Sequence, residues 1–184
     1  MEREGVQGSG AATQTVAPAE LRHLPFADTV ELKVEPSGRI VLPSAFRPAF
    51  AAGGYLRTFE GPSLALWTAY DFVEFVDRKL TERRKAGLGS GQVRKALYAT
   101  SKSIKPDAQG RVILAEDLRK AAGIATELVV VGAFDRIELW EPAKWKAASA
   151  ELAVYLDFEL SAIDDVDAAD IPTIPGSFDD GEPS

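Results

Sequence analysis

Residues 107–119 read DAQGRVILAEDLR, and residues 35–47 read EPSGRIVLPSAFR. Each stretch opens on an acidic residue, reaches a Gly-Arg pair within one turn, runs through apolar residues and closes on Arg. The two copies lie 72 residues apart in a chain of 184. A thirteen-residue pattern written twice predicts an internal duplication, and the flanking residues extend it in both directions.

In the first half, VELKVEP alternates Val30, Leu32 and Val34 with Glu31, Lys33 and Glu35, the period-two pattern of a half-buried strand. A turn at Ser37-Gly38 leads into a second strand, RIVLP. The stretch SAFRPAFAAG predicts a short helix capped by Ser44 and cut short by Pro48, which lacks a backbone donor. A hairpin, YLRTFEGPSLALW, turns at Gly61-Pro62. A helix over 69–86 then opens with Thr68 and Asp71 in capping-box spacing, gathers Phe72, Phe75, Val76 and Leu80 on one face, and stops at Gly87.

The second half repeats the order. SIKPD and RVIL are strands around Gln109-Gly110, EDLRKAAG is a helix closed by Gly123, TELVVVGAFDRIELW is a hairpin, and PAKWKAASAELAVYL is a helix opened by Pro142. Leu66-Trp67 matches Leu139-Trp140 and Phe72 matches Trp145 at an offset of 73. One inserted residue, with everything else in register, is the expectation. GLGSG and the helix QVRKALYATS join the halves. Two copies predict a duplicated βαββα-like unit of the α+β class with a mainly β core, since solenoids need at least three copies. The expected division is a flexible arm at 1–25, a first repeat at 26–86, a linker and connecting helix at 87–101, a second repeat at 102–158 and an acidic tail at 159–184.

Composition narrows the chemistry. The sequence holds no cysteine, which removes disulfides, thiolate metal sites and cysteine nucleophiles. Its one histidine, His23, falls in the expected arm and reads as a solvated side chain. Asp164-Asp165 and Asp179-Asp180 are paired carboxylates in the tail, where no scaffold would hold a catalytic separation. GLGSG lacks the preceding strand and the Lys-Ser/Thr of a phosphate-binding loop. No enzyme, cofactor or metal centre is expected, and no apolar run is long enough for a membrane span. A cytoplasmic setting follows from the missing cysteines and the missing signal-peptide pattern.

The net charge of −7 is segregated. Residues 159–184 carry eight carboxylates and no cation, and residues 1–29 add four carboxylates against two arginines. The span 30–158 is left with a net charge of +3. The tail's composition predicts disorder, and the basic centre permits an anionic partner.

Within that centre, Gly38 and Gly110 suit a turn that needs positive φ and would project Arg39 and Arg111 from the surface. Arginine's planar fork can grip a phosphate or the O6/N7 edge of guanine. The competing reading pairs these arginines with Glu35 and Asp107 across their own turns; duplication of the whole unit favours the binding role. Arg47 and Arg119 recur equally well but follow Phe46 and Leu118 on helices, and read as structural. Glu82 to Lys85 reads as a solvated helix end, and Trp67, Trp140 and Trp145 as packing residues. Lys33, Arg57, Lys102 and Lys105 are secondary candidates for phosphate contact that no sequence pattern singles out.

The doubled pattern, from about Phe26 to Leu156, resembles the MraZ family, relatives of the AbrB-type bacterial transcription factors. VRKALYATSKSIKPDAQGR also resembles the family's stretch before its second motif. The resemblance implies a duplicated swapped-hairpin β-barrel with peripheral helices. It also implies a DNA-binding regulator that represses a division and cell-wall gene cluster, assembles into rings on promoter direct repeats and associates with the nucleoid. In the family the Asp-x-x-x-Arg loops contact DNA, which here means Arg39 and Arg111 with Gly38, Gly110, Glu35 and Asp107. The sequence departs from the pattern at Glu35, where Asp is usual, at Ser37 and Gln109, where Lys is usual, and at Ala115, where Pro is usual. Of the family's Phe, Gly, aromatic and His entry pattern only Phe26 is kept, with Asp28, Val30 and Leu32 at the other places. The other function class the residues allow is a protein-interaction barrel without DNA binding.

Overall fold

Alternation of apolar and polar residues builds the strands, and the break in that alternation at each Gly-Arg turn sets their order. The structure, a computed structural model, describes residues 23–59 and 61–164. The expected arm up to residue 22, and the expected acidic tail from residue 165 on, lie outside the described residues; the first part of that tail, 159–164, is helical rather than disordered.

The first half forms β1 (Thr29–Lys33), β2 (Arg39–Val41), a 3₁₀ turn (Arg47–Phe50), β3 (Gly54–Thr58), β4 (Leu64–Thr68) and α1 (Ala69–Lys85). After α2 (Gly91–Ala99), the second half forms β5 (Lys102–Ile104), β6 (Arg111–Ile113), α3 (Glu116–Ala122), β7 (Glu127–Gly132), β8 (Ile137–Trp140) and α4 (Pro142–Asp164). The fold is α+β. Six strands form an antiparallel sheet in the order β1-β7-β8-β4-β3-β5, and β2 and β6 form a separate antiparallel ribbon.

The halves are interleaved. Among the described residues, only the hairpins β3–β4 and β7–β8 pair strands of one half; β1 pairs with β7, β5 with β3, β4 with β8 and β2 with β6. Ile40 faces Val112 in the ribbon, and Ala65 faces Glu138 in the sheet. Each is a pairing of corresponding residues, so a pseudo-twofold axis passes through both.

These registers correct the expectation of a single insertion. Ribbon positions correspond at an offset of 72 and β4–β8 positions at 73, but the partners of β1 and β5 relate Gly54 to Leu128, an offset of 74. Two residues are gained before β7, and one is lost in the hairpin turn, residues 133–136 against 59–63. The pleat requires this. Leu56 faces the main core, as do Leu128 and Val130, and an odd offset would turn β7's inner residues outward.

The main core lies between ribbon and sheet, with Ile40, Leu42, Phe50, Leu56, Leu66 and Leu114 nearly or wholly buried. At about 1.5–3 kcal/mol for each fully buried side chain, this cluster is the chief source of stability. A second cluster lies on the other side of β4, where Trp67 meets Phe72, Phe75, Val76 and Leu80 of α1. β4 is therefore buried on both faces, and its LALWT run shows no polar alternation. The Thr68 side chain accepts from the Asp71 amide at 3.1 Å, so the predicted cap of α1 forms. α2 lays Val93 and Leu97 on this cluster.

Two readings change. Ser44 caps nothing: Pro48, in the first turn, confines the segment to four residues of 3₁₀ helix that begin after Phe46. His23 is also no solvated arm residue. Its ring lies 4.5 Å from that of Phe26, and its Nε2 donates to Asp71 Oδ2 at 2.8 Å. The carboxylate at the start of α1 gives this imidazole a docking point, which one-dimensional reading could not supply.

α4 departs from α1 despite its matching place. Glu141 Oε2 accepts from the Lys144 amide at 3.0 Å, so the start of α4 is capped as α1 is. Where α1 presents Phe75 and Val76 to the sheet, α4 has Ala148 and Ser149, while Leu152, Val154, Tyr155, Leu156, Phe158 and Leu160 stand more than half exposed. Trp140 and Trp145, 5.8 Å apart, line a groove of about 670 Å³ with Phe59, Leu152 and Tyr155. Among the described residues, no helix is long and apolar enough to cross a membrane.

Candidate nucleic-acid interface

The two Gly-Arg loops fold alike because the same backbone bonds close them. Gly38 N donates to Glu35 O at 2.8 Å and Glu35 N to Arg39 O at 2.8 Å; Gly110 N donates to Asp107 O at 2.9 Å and Asp107 N to Arg111 O at 2.9 Å. Both glycines have φ of +78°, a region that L side chains seldom occupy. Each loop is also tied to the other half, Leu42 N donating to Gly110 O and Leu114 N to Gly38 O, both at 2.9 Å.

The ribbon then sorts its side chains by alternation. Ile40 and Val112 point into the core, while Arg39, Val41 and Ile113 face out with Arg111 half-buried beside them. Arg39 lies opposite Ile113, and Arg111 opposite Val41, so the two arginines share one face of a two-stranded ribbon about the pseudo-twofold axis. The sequence reading called RIVL and RVIL strands without assigning their faces, and so did not single out Val41 and Ile113, 36% and 57% exposed. The signal was available: in a strand, residues at i and i+2 share a face, so Arg39 and Val41 must lie together.

The acidic residues of the two loops behave differently. Asp107 Oδ1 accepts from the Gln109 amide at 2.9 Å and the Arg111 amide at 2.8 Å, capping its own turn. The Arg111 amide bond, with the Gln109 amide and the charges of Arg111 and Arg39, holds the Asp107 carboxyl below the usual carboxylate range. Glu35 makes no such cap. Its Oε1 accepts from Arg111 Nε of the opposite loop at 3.0 Å, and Ser37 Oγ donates weakly to Oε2 at 3.4 Å. Arg39 is exposed and forms no ion pair among the described residues. The competing same-turn pairing is therefore not what forms; the ion pair runs across the two halves.

Arg47 and Arg119 serve the scaffold. Arg47 Nε donates to Leu42 O at 2.7 Å, and its side chain covers Gly110; Arg119 lies in the same way against Gly38. The helix-end cations also bond backbone, Arg84 Nε to Leu80 O at 3.2 Å and Arg83 Nε to Gly89 O at 3.1 Å. Among the secondary candidates, Lys102 is paired with Asp117 at 3.3 Å, and Arg57 is half-buried, its pKa lowered by burial. Lys33 and Lys105 stand out. They are exposed, occupy equivalent positions 72 residues apart, and each sits two residues before a loop's acidic residue. Among the described residues, no group of His, Cys, Asp or Glu could hold a metal ion.

Comparison with known proteins identifies the family. Residues 97–164 match the family described as "MraZ protein, putative antitoxin-like". The chain is 32% identical over 121 residues to a protein of Mycobacterium sp. (strain KMS), covering 66% of this chain and 84% of that protein. It is equally similar, over the same shares, to one of Saccharopolyspora erythraea. With a protein of Nocardia farcinica it is 32% identical over 126 residues, covering 68% of this chain and 87% of the relative. All three relatives are named "Transcriptional regulator MraZ", so the name denotes regulators rather than enzymes. With interleaved halves, two Gly-Arg loops on one axis and relatives matched over most of their length, this chain belongs to the MraZ family.

Proposed function

We propose that this protein is a sequence-specific DNA-binding transcriptional regulator whose β2–β6 ribbon meets the duplex. The observation that carries the reading is the pair of arginines on one outward ribbon face, related by the pseudo-twofold axis. Arg39 and Arg111 would supply bidentate contacts to guanine edges or phosphates, and Val41 and Ile113 apolar contact with thymine methyls or sugars. Lys33 and Lys105 would neutralise flanking phosphates. Gly38 and Gly110 hold the loops in shape, Asp107 by capping its turn and Glu35 by setting the charge around Arg111.

The same reading takes residues 26–86 and 102–158 as the two repeats, joined by 87–101, with sheet and ribbon closing as a swapped-hairpin barrel. The cross-half pairing of every strand supports it. Identical chains would assemble into a ring, because one barrel offers too small a footprint for strong promoter discrimination. The uncovered apolar residues of α4 supply a surface for that contact. Loops around a ring could then engage promoter direct repeats spaced near one helical turn, about 10 bp. By family resemblance the protein acts in the cytoplasm at the nucleoid, repressing a division and cell-wall gene cluster.

The test is a gel shift on the region upstream of its own gene with wild type, Arg39→Ala, Arg111→Ala and the double variant. Each lost contact should weaken binding by about 1–3 kcal/mol per barrel, and more in an assembly. A double variant that binds as wild type does sinks the assignment. The exposed apolar groove of α4 favours one other reading, an interaction barrel without DNA affinity. Salt separates the two: DNA binding should weaken with a log–log slope of about 0.9 per phosphate neutralised.

A further inference from the structure

The two loops share a backbone and a Gly-Arg pair, but their acidic residues differ by one methylene. Asp107 is short enough to turn back on the amides of Gln109 and Arg111, at 2.9 and 2.8 Å. Glu35, at the equivalent place, carries its carboxylate past its own turn to Arg111 Nε, 3.0 Å away. Both partners of that ion pair keep about a third of their side-chain surface exposed, so a competing anion can reach it. Arg39 has no equivalent restraint, since Asp107 is committed to its own turn and Arg39 forms no ion pair among the described residues.

We propose that Glu35 is an intramolecular latch that holds Arg111 back from DNA, so that the two pseudo-symmetric prongs are unequal. Arg39 is the open prong. Arg111 engages a phosphate or base edge only after leaving Glu35, whose carboxylate then stands beside the bound polyanion and repels it. The proposal rests on the DNA-binding reading above and deepens it, naming Glu35 as the residue that sets affinity at this face. The physical origin is side-chain length. An aspartate at position 35 would find the amides of Ser37 and Arg39 as Asp107 finds Gln109 and Arg111, and would release the opposite arginine with the net charge unchanged.

The decisive experiment measures affinity of the full chain for a labelled duplex of its own upstream region across a salt series. The proteins are wild type, Glu35→Asp and Glu35→Gln, each also with Arg111→Ala or Arg39→Ala, beside the double arginine variant. Glu35→Asp should bind about three- to fivefold tighter, the scale of breaking one exposed ion pair, and the gain should shrink as salt rises, because wild type must break an ion pair that salt itself screens. The gain should vanish with Arg111→Ala and persist with Arg39→Ala. Because Glu35→Asp keeps the charge, tighter binding cannot be a net-charge effect; Glu35→Gln should tighten binding at least as much. If Glu35→Asp is no tighter than wild type, or its gain survives Arg111→Ala, the latch is overturned, while the double arginine variant still reports on the interface. If that double variant binds as wild type does, the DNA-binding reading falls and the latch with it.

Discussion

Arg47 lies across the α-carbon of Gly110: a Cβ built there would stand 2.4 Å from Arg47 Nε and 2.6 Å from its Cδ. The pseudo-equivalent contact, Arg119 on Gly38, is looser, with 3.3 Å to the guanidinium. Each loop glycine thus serves twice, turning its own chain and receiving an arginine from the other half.

The inequality of the two contacts predicts unequal mutants. Both Gly38→Ala and Gly110→Ala pay about 1–2 kcal/mol for a side chain at φ +78°. Gly110→Ala must also displace Arg47 from the Leu42 carbonyl, adding about 1 kcal/mol. Chemical denaturation should therefore rank Gly110→Ala below Gly38→Ala, and equal midpoints would contradict the packing described.

Gly132 supplies a clash of another kind. A Cβ there meets the Ala27 backbone at 2.5–2.6 Å, where no rotamer change gives relief, and the Gly132 amide donates to Asp28 O at 2.8 Å. Gly132→Ala should destabilise by about 1–3 kcal/mol as β1 is pushed from β7. Gly89→Ala, with open space around it, is the control and should leave the thermal midpoint nearly unchanged.

His23 gives stability a pH dependence. Burial alone would lower its pKa, but its hydrogen bonds to the Leu24 carbonyl and to Asp71, with the Asp71 charge, raise it above the ordinary imidazole range. A group whose pKa is raised on folding contributes fully below its unfolded value and loses that contribution as pH rises through the folded one. His23→Ala should cost about 1 kcal/mol at pH 5.5 and distinctly less at pH 8.5. Paired melts of both proteins at the two pH values check this, and a loss that does not change with pH would exclude the charged pair.

The exposed side of α4 predicts assembly. Leu152→Glu with Tyr155→Glu places charge on side chains that are more than half exposed at the groove, so the monomer should stay folded, with at most a modest drop in melting temperature. Light scattering should show wild type as an oligomer at micromolar concentration and the double variant shifted toward monomer. Two monomeric proteins would remove α4 as the interface.

The order of elements, the α1 cap and the two Gly-Arg turns were legible in the sequence, because each rests on local spacing: period two, period 3.6, and a glycine where φ must be positive. What each strand pairs with was not. The exchange of β1 and β5 between halves depends on where the main core, with Leu56, Leu128 and Val130, can close, and the pleat then adjusted the offset from 73 to 74. Three-dimensional proximity also set the partners of charged groups. His23 and Asp71 are 48 residues apart, and Glu35 and Arg111 are 76 apart. Only folding brings them within hydrogen-bond reach, because residue types set what a group can bond to, and the packed core sets which group arrives.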